Sequence, residues 1–272
     1  MARNFSSRNS SSAGLPRSPW GWALLGLLLG ALPALAVFAP ARWLAAGVAS
    51  ASGGQVQLVE PRGTVWDGSA QLLLTGGSGS QDHATLPSRV QWRLWPAWAG
   101  VRAELRADCC TTAGPIGIAA QAGWNTVRVQ IADGRSQWPA AVLAGLGTPW
   151  NTVQPQGRLA LSTQALALNW TNGRMQLAGS AQLDALDMSS RLSTLRPMGS
   201  YRLALDGKGP APTLTLSTLG GALLLKGSGE WVGDRLRFTG EATAAPDREA
   251  ALANLLNIIG RRTGARSIIT VG

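Results

Sequence analysis

Apolar and polar residues exchange places, position by position, through most of this chain. In VQWRL, Val90, Trp92 and Leu94 face one way and Gln91 and Arg93 the other. VRAELRA sets Val101, Ala103 and Leu105 against Arg102, Glu104 and Arg106, and VRVQI separates Val127, Val129 and Ile131 from Arg128 and Gln130. RLALS, ALALNW, RMQLAGSAQL, YRLALDG, TLTLST and RLRFTG continue the pattern. Strict alternation buries one face of a strand and wets the other, the signature of antiparallel sheet. Asn172-Gly173, between two alternating runs, is a strong hairpin signal, and Gly233-Asp234 predicts a second. GGSGSQD and DGKGPAP read as looser loops. RGTVWDGSAQLLL, Arg62 to Leu74, reads as the first strand, with bends at Gly63 and Gly68, Asp67 at the turn, and Thr64 and Trp66 sharing a face opposite Val65.

Helical periodicity is confined to short stretches. WPAAVLAG predicts one short helix, with Pro139 at its first position and Gly145 or Gly147 closing it. Within Arg248 to Arg262, Leu252, Leu255, Leu256 and Ile259 form an i, i+3, i+4, i+7 stripe. Asp247 and Glu249 favour the N-terminal end of that helix and Arg261 and Arg262 its C-terminal end. A last strand is expected at Ser267 to Val271. A helix roughly 22 Å long cannot cover ten or so strands spaced at about 4.8 Å. The sheet is therefore expected to curl, closing on a filled core or leaving an apolar trough, with the helix plugging one end. Two phrases beginning Leu-Ser-Thr-Leu, at Leu192 and Leu216, suggest a repeated strand–turn–strand unit.

The N-terminus departs from this pattern. Trp20 to Phe38 is uncharged over 19 residues, roughly 28 Å as a helix, enough to cross a hydrocarbon core of about 30 Å. Trp20, Trp22 and Trp43 sit at the two ends, where amphipathic rings favour the headgroup region, and Phe38 is the last aromatic of the span at the membrane interface. Arg3, Arg8 and Arg17 precede it in a leader without acidic residues, which by the positive-inside rule places residues 1–19 in the cytoplasm and residues 39–272 outside. The rival is a cleaved signal peptide with a small-residue site at Ala34 to Ala36. The length of the span and the apolar residues Trp43 and Leu44 beyond that site favour an uncleaved anchor.

Charge adds little to this picture. The net charge of +10 comes almost wholly from arginine, lysine occurring only at Lys208 and Lys226, and the arginines are dispersed rather than gathered in a stripe. That distribution argues against a nucleic-acid partner. The two cysteines, Cys109 and Cys110, are adjacent, and Cα atoms about 3.8 Å apart allow a bond between them only with strain. A strained vicinal bridge, two inert thiols and an intermolecular disulfide all stay open.

Candidate chemistry is sparse. His83, the lone histidine, lies in a Gly/Ser-rich loop without a nucleophile partner. Asp184 and Asp187, three apart on a predicted strand, are expected on opposite faces, and Asp108 has no visible acidic partner. Neither metal-ligand spacing nor a nucleotide-binding glycine motif occurs. The reading is a non-enzyme with no catalytic residue, cofactor or metal. Twelve tryptophans, among them Trp66, Trp92, Trp95, Trp98, Trp124, Trp138, Trp150, Trp170 and Trp231 in the body, read as core anchors, with a lipid- or partner-facing groove as the alternative.

The order of APARWLA, GTVWDGSAQLLL, VQWRL, LGTPWNTVQPQGRLAL, SSRLSTLRPMGSYRLAL, LSTLGGALLLKGSGEW, LRFTGEA and LLNIIGRRTGARS resembles the general secretion pathway protein N family, over roughly Ala39 to Val271. These are accessory inner-membrane subunits of bacterial type II secretion systems, remotely similar to AsmA-like envelope proteins with curved sheets around an apolar groove. The resemblance implies a single-pass inner-membrane protein with a periplasmic β domain. Its partners would be the inner-membrane platform subunits or the outer-membrane secretin. It carries over no catalytic residue. The alternative it raises is a lipid-handling or envelope-maintenance protein.

Overall fold

The computed structural model describes residues 20–77, 79–172, 174–209, 211–233 and 235–272. The leader with Arg3, Arg8 and Arg17, and the turn residues Gly173 and Asp234, lie outside the described residues. The chain divides into two compact units between Ala39 and Pro40. In the first, the uncharged stretch forms α1 (Trp20–Val37), which has Pro33 inside it and no buried residue.

In the second unit, period-2 alternation becomes one antiparallel sheet of fifteen strands among the described residues. Strands account for 56% of the chain. The first seven are β1 (Val56–Gly63), β2 (Asp67–Thr75), β3 (His83–Ala97), β4 (Gly100–Ala107), β5 (Ile116–Ala122), β6 (Thr126–Ile131) and β7 (Gly134–Pro139). After them come β8 (Gln156–Thr171), β9 (Arg174–Ser189), β10 (Gly199–Asp206) and β11 (Thr213–Gly221). The last are β12 (Leu223–Val232), β13 (Arg235–Ala244), β14 (Arg261–Thr263) and β15 (Arg266–Val271). Strands adjacent in sequence lie side by side almost throughout, as short turns between alternating runs require. The exceptions are that β6 and β7 share the same side of β8, and that β14 lies outside β15.

The sheet is open; the two ends of its main path, β1 and β14, each carry features that discourage further pairing, while β7 branches off, paired to β8 alone. β1 contains Pro61 and a register shift between Val59 and Arg62, with Glu60 at φ 49°. β14 is three residues long and begins Arg261-Arg262. A proline, a bulge, a short strand and charge all oppose strand addition.

Three short helices and a 3₁₀ turn cover parts of the sheet. The helix α2 (Ala41–Ala51) packs on β1 and β2. The 3₁₀ turn Ala140–Leu146 lies on β2, β3 and β8, with α3 (Trp150–Val153) beside it. The fourth helix, α4 (Glu249–Ile259), packs on β13, β14 and β15. Each marks a cluster of buried residues. Ala41 of α2 packs with Ala70 and Trp92 beneath it, and Leu86, Ala107 and Cys110 form a second group. The largest gathers Leu252, Leu255 and Leu256 with Met188, Met198, Tyr201, Leu223 and Ala242.

Several expectations shift by local geometry. RGTVWDG is the turn between β1 and β2 rather than the first strand, because Gly63 takes φ 86° and ends β1. Thr64 Oγ1 then accepts from the backbone N–H of Trp66 (3.2 Å) and Asp67 (3.1 Å). Pro139 ends β7 instead of starting a helix, and Arg261 and Arg262 leave α4 for β14. The Leu-Ser-Thr-Leu repeat is not structural: the copy at Leu192 lies in a loop and the copy at Leu216 within β11. RLALS and ALALNW are both parts of β8, joined across a bulge where Ala165 has φ 48°.

Candidate functional site

The chemistry-bearing residues do not converge. His83 is exposed at the start of β3, with Nδ1 2.9 Å from the carbonyl of Gln81. Asp184 and Asp187 hold different arginines. Arg158 of β8 donates to Asp187 of β9 at 2.7 Å. Arg202 donates twice to Asp184, at 2.8 Å each, from the cross-strand partner position on β10. The Arg202 hydrogen bonds hold the Asp184 carboxyl below its ordinary value, outweighing the opposing effect of burial. Among the described residues no group of three or more His, Cys, Asp or Glu could hold a metal.

Tyr201, the one tyrosine, is a different case. Its ring fills the core beside α4, yet its hydroxyl is buried with no hydrogen-bond partner among the described residues. Burial pushes that hydroxyl well above its ordinary value. Nothing that could take up its proton sits beside it, so it is a packing residue. The cysteines form the vicinal bridge, Cys109 to Cys110, with Cys110 wholly buried against Leu86 and Ala107.

The tryptophans divide, and the reading of all of them as core anchors does not hold. Trp92 is the buried one. It stands opposite Gly68, where a Cβ would collide with its ring, and its indole N–H reaches the carbonyls of Thr64 (3.2 Å) and Val65 (3.1 Å). That bond ties β3 to the β1–β2 turn. Trp66, Trp95, Trp138, Trp170 and Trp231 are half-buried. Trp98 and Trp124 are 95% and 104% exposed, which no core role explains.

The flanking aromatics of the apolar span are also exposed: Trp20 and Trp22 open α1, and Phe38 follows it. Trp43 lies on α2, in the second unit, instead of continuing the span. The helix α1 is long and apolar enough to cross a membrane. What the described residues present is a set of surfaces: an apolar helix, and a sheet whose apolar positions are only partly covered.

The comparison that bears on these surfaces is with protein families. The model of the family described as type II secretion system (T2SS), protein N, matches residues 54–269, from the approach to β1 to the middle of β15. The chain belongs to this family. It is therefore a component of a type II secretion system, a class of protein that works in contact with other secretion subunits. Neither the curated proteins nor the solved structures yielded a match. The match takes in the whole antiparallel sheet except its last two residues, and begins beyond α1 and α2. The sequence motifs had pointed to the same family. The α2 helix, by contrast, was missed, because ARWLAAGVASA follows the apolar span so closely that its apolar residues read as a continuation. The signal for it was Pro40, which ends one helix and caps the next.

Proposed function

We propose that this chain is a non-enzymatic, single-pass subunit of the type II secretion apparatus, anchored in the inner membrane by Trp20 to Phe38. In this reading residues 1–19 are cytoplasmic and the sheet is periplasmic. The sheet docks on the inner-membrane platform subunits or on the outer-membrane secretin and assists export of folded proteins. The observation that carries it is the family match over residues 54–269. An uncharged helix of 18 residues supports the anchor. His83, Asp184 and Asp187, each exposed or paired locally and far from convergence on one cleft, support a binding rather than a catalytic role. The terminal strands β1 and β14 oppose strand addition, so partners are expected chiefly on the faces and turns.

The test is topology together with secretion. A phosphatase reporter fused after Gly272 should be active, and the protein should retain its leader and resist alkaline extraction from membranes. Deleting the gene should reduce secretion of a folded exoprotein. A new N-terminus near Val37 would refute the anchor, and unchanged secretion would refute the role.

One observation favours a second reading, lipid handling. The helices and the 3₁₀ turn pack chiefly on β1–β3, β8 and β13–β15, and strands between these, β5 and β6 among them, are covered less. A concavity of about 520 Å³ opens there between Trp95, Ile118 and Leu166. Phospholipid that co-purifies reproducibly in native mass spectrometry would promote this reading. A gene set among secretin, ATPase and pseudopilin genes would support the first.

A further inference from the structure

We propose that the turns carrying Trp98 and Trp124 form a ridge that lies on an anionic bilayer surface. The two rings are more exposed than any other large apolar side chain described, α1 included. Each tips a tight hairpin: Trp98 and Ala99 between β3 and β4, and Gly123 to Asn125 between β5 and β6. The turns are fixed to each other. The Ala122 N–H donates to the Ala99 carbonyl at 3.0 Å, and Gly123 N–H to Thr126 at 2.7 Å. The amide of Asn125 donates to the side chain of Asn172 in the β8–β9 turn, and the Asn172 N–H returns to the Asn125 carbonyl.

Register places the three turns level. One unbroken row of paired residues runs Ala97, Gly100, Gln121, Arg128, Asn169, Gln176. Trp98 and Trp124 project beyond that row on the same side. A tryptophan wholly in water forgoes the burial its ring favours, and its amphipathic ring suits the boundary between headgroups and acyl chains.

Charge identifies the surface that would receive them. Residues 97–102, 119–128 and 169–176 contain no Asp or Glu. Arg102 and Arg128 are exposed on the rungs behind the tips. Glu104 lines the same concavity but pairs with Arg106, and neither Arg102 nor Arg128 has a carboxylate within ion-pairing distance among the described residues. Exposed tryptophan with unpaired arginine complements an anionic lipid headgroup layer.

The entry of the chain into the sheet unit is at the same end. Pro40 bridges to Thr64 in the β1–β2 turn, and the Trp66 carbonyl accepts from Leu94, three residues before the end of β3. Pro40 follows Val37 by three residues, at most about 11 Å of extended chain. This step rests on the proposed reading of Trp20 to Phe38 as a membrane anchor. In that reading the sheet is on the periplasmic side, so the lipid surface offered to the ridge is the periplasmic leaflet.

The test uses the full chain reconstituted in vesicles of phosphatidylglycerol and phosphatidylcholine, whose acyl chains are brominated near the headgroup to quench tryptophan emission. Trp98→Phe/Trp124→Phe, both changes at exposed turns, isolates the tip emission by difference. We expect that difference to be quenched more strongly than the remaining emission. The quenching should weaken in vesicles of phosphatidylcholine alone, and in Arg102→Gln/Arg128→Gln. A tip emission that brominated lipid leaves untouched would overturn the proposal. If the double tryptophan variant instead dissociates a dimer in lipid-free detergent, the ridge belongs to a second copy and the proposal fails. Alkaline extraction of the same vesicles separates this from the anchor. A chain that resists extraction but has unquenched tips refutes the ridge alone, whereas a chain that is stripped refutes the anchor.

Discussion

Replacing Leu256 by Ala tests whether α4 is integral to the sheet or merely rests on it. Leu252, Leu255 and Leu256 are 0%, 1% and 0% exposed, and they face a cluster that includes Met198, Tyr201, Leu223 and Ala242. The helix is also bonded to the sheet, since the buried Ser267 hydroxyl of β15 donates to the Leu256 carbonyl. Leu256→Ala deletes three carbons, worth about 2.4 kcal/mol at roughly 0.8 kcal/mol per methylene. The cavity left behind raises this to about 3–4 kcal/mol, because a β-sheet backbone held by its ladder cannot collapse into the space. Alanine's better helix propensity returns only about 0.2 kcal/mol. For a unit of this size, that lowers Tm by roughly 6–15 °C. The assay is far-ultraviolet circular dichroism of the full chain in detergent, melted by heat and by urea. Ile258→Ala is the control: it lies on the same helix but is 44% exposed, and should cost below about 1 kcal/mol. Leu256→Glu should exceed the alanine change, since it buries an unpaired carboxylate. If Leu256→Ala and Ile258→Ala agree within about 0.5 kcal/mol, α4 is not part of the cooperative core and the packing argument is wrong.

Two further outcomes follow from the polar groups in the sheet. Tyr201→Phe removes a buried hydroxyl without a partner while keeping the ring, so it should raise stability by about 1 kcal/mol in the same urea assay. Its phenol is held above the ordinary value of 10.0, so the neutral form's contribution is complete below that pH and is lost as pH rises through the folded value. Phenolate absorbance of the wild type should therefore appear only together with alkaline unfolding. Asp184 behaves in the opposite sense: its pKa is lowered from 3.8 by Arg202, so its contribution is present above that pH and lost as pH falls through the lowered value. Asp184→Asn should flatten the acid side of the stability profile and leave the alkaline side unchanged; an unchanged acid slope would show that the pair is idle.

Much of this protein was legible in its sequence, for a local reason. Alternation is a property of a strand's own pleat, so VQWRL, VRAELRA and TLTLST announced strands wherever they pair, and Asn172 at φ 52° confirms the hairpin turn between β8 and β9. The stripe Leu252, Leu255, Leu256 likewise followed from the helix period alone. The uncharged run of α1 and the order of motifs that marks the family were also readable one segment at a time. What the sequence could not decide was which residues pairing brings level. Trp92 lies on β3 and Trp98 in the turn just past its end, six residues on, yet one is buried and the other stands in solvent. That difference is set by Gly68 across the ladder from Trp92, and by the end of β3 just before Trp98. The same holds for Cys110, whose burial depends on Leu86, and for Arg102 and Arg128, whose common surroundings arise only from the register of β4, β5 and β6. Periodicity is written within each segment. Neighbourhood across strands depends on register over long separations, and only the completed hydrogen-bond ladder fixes it.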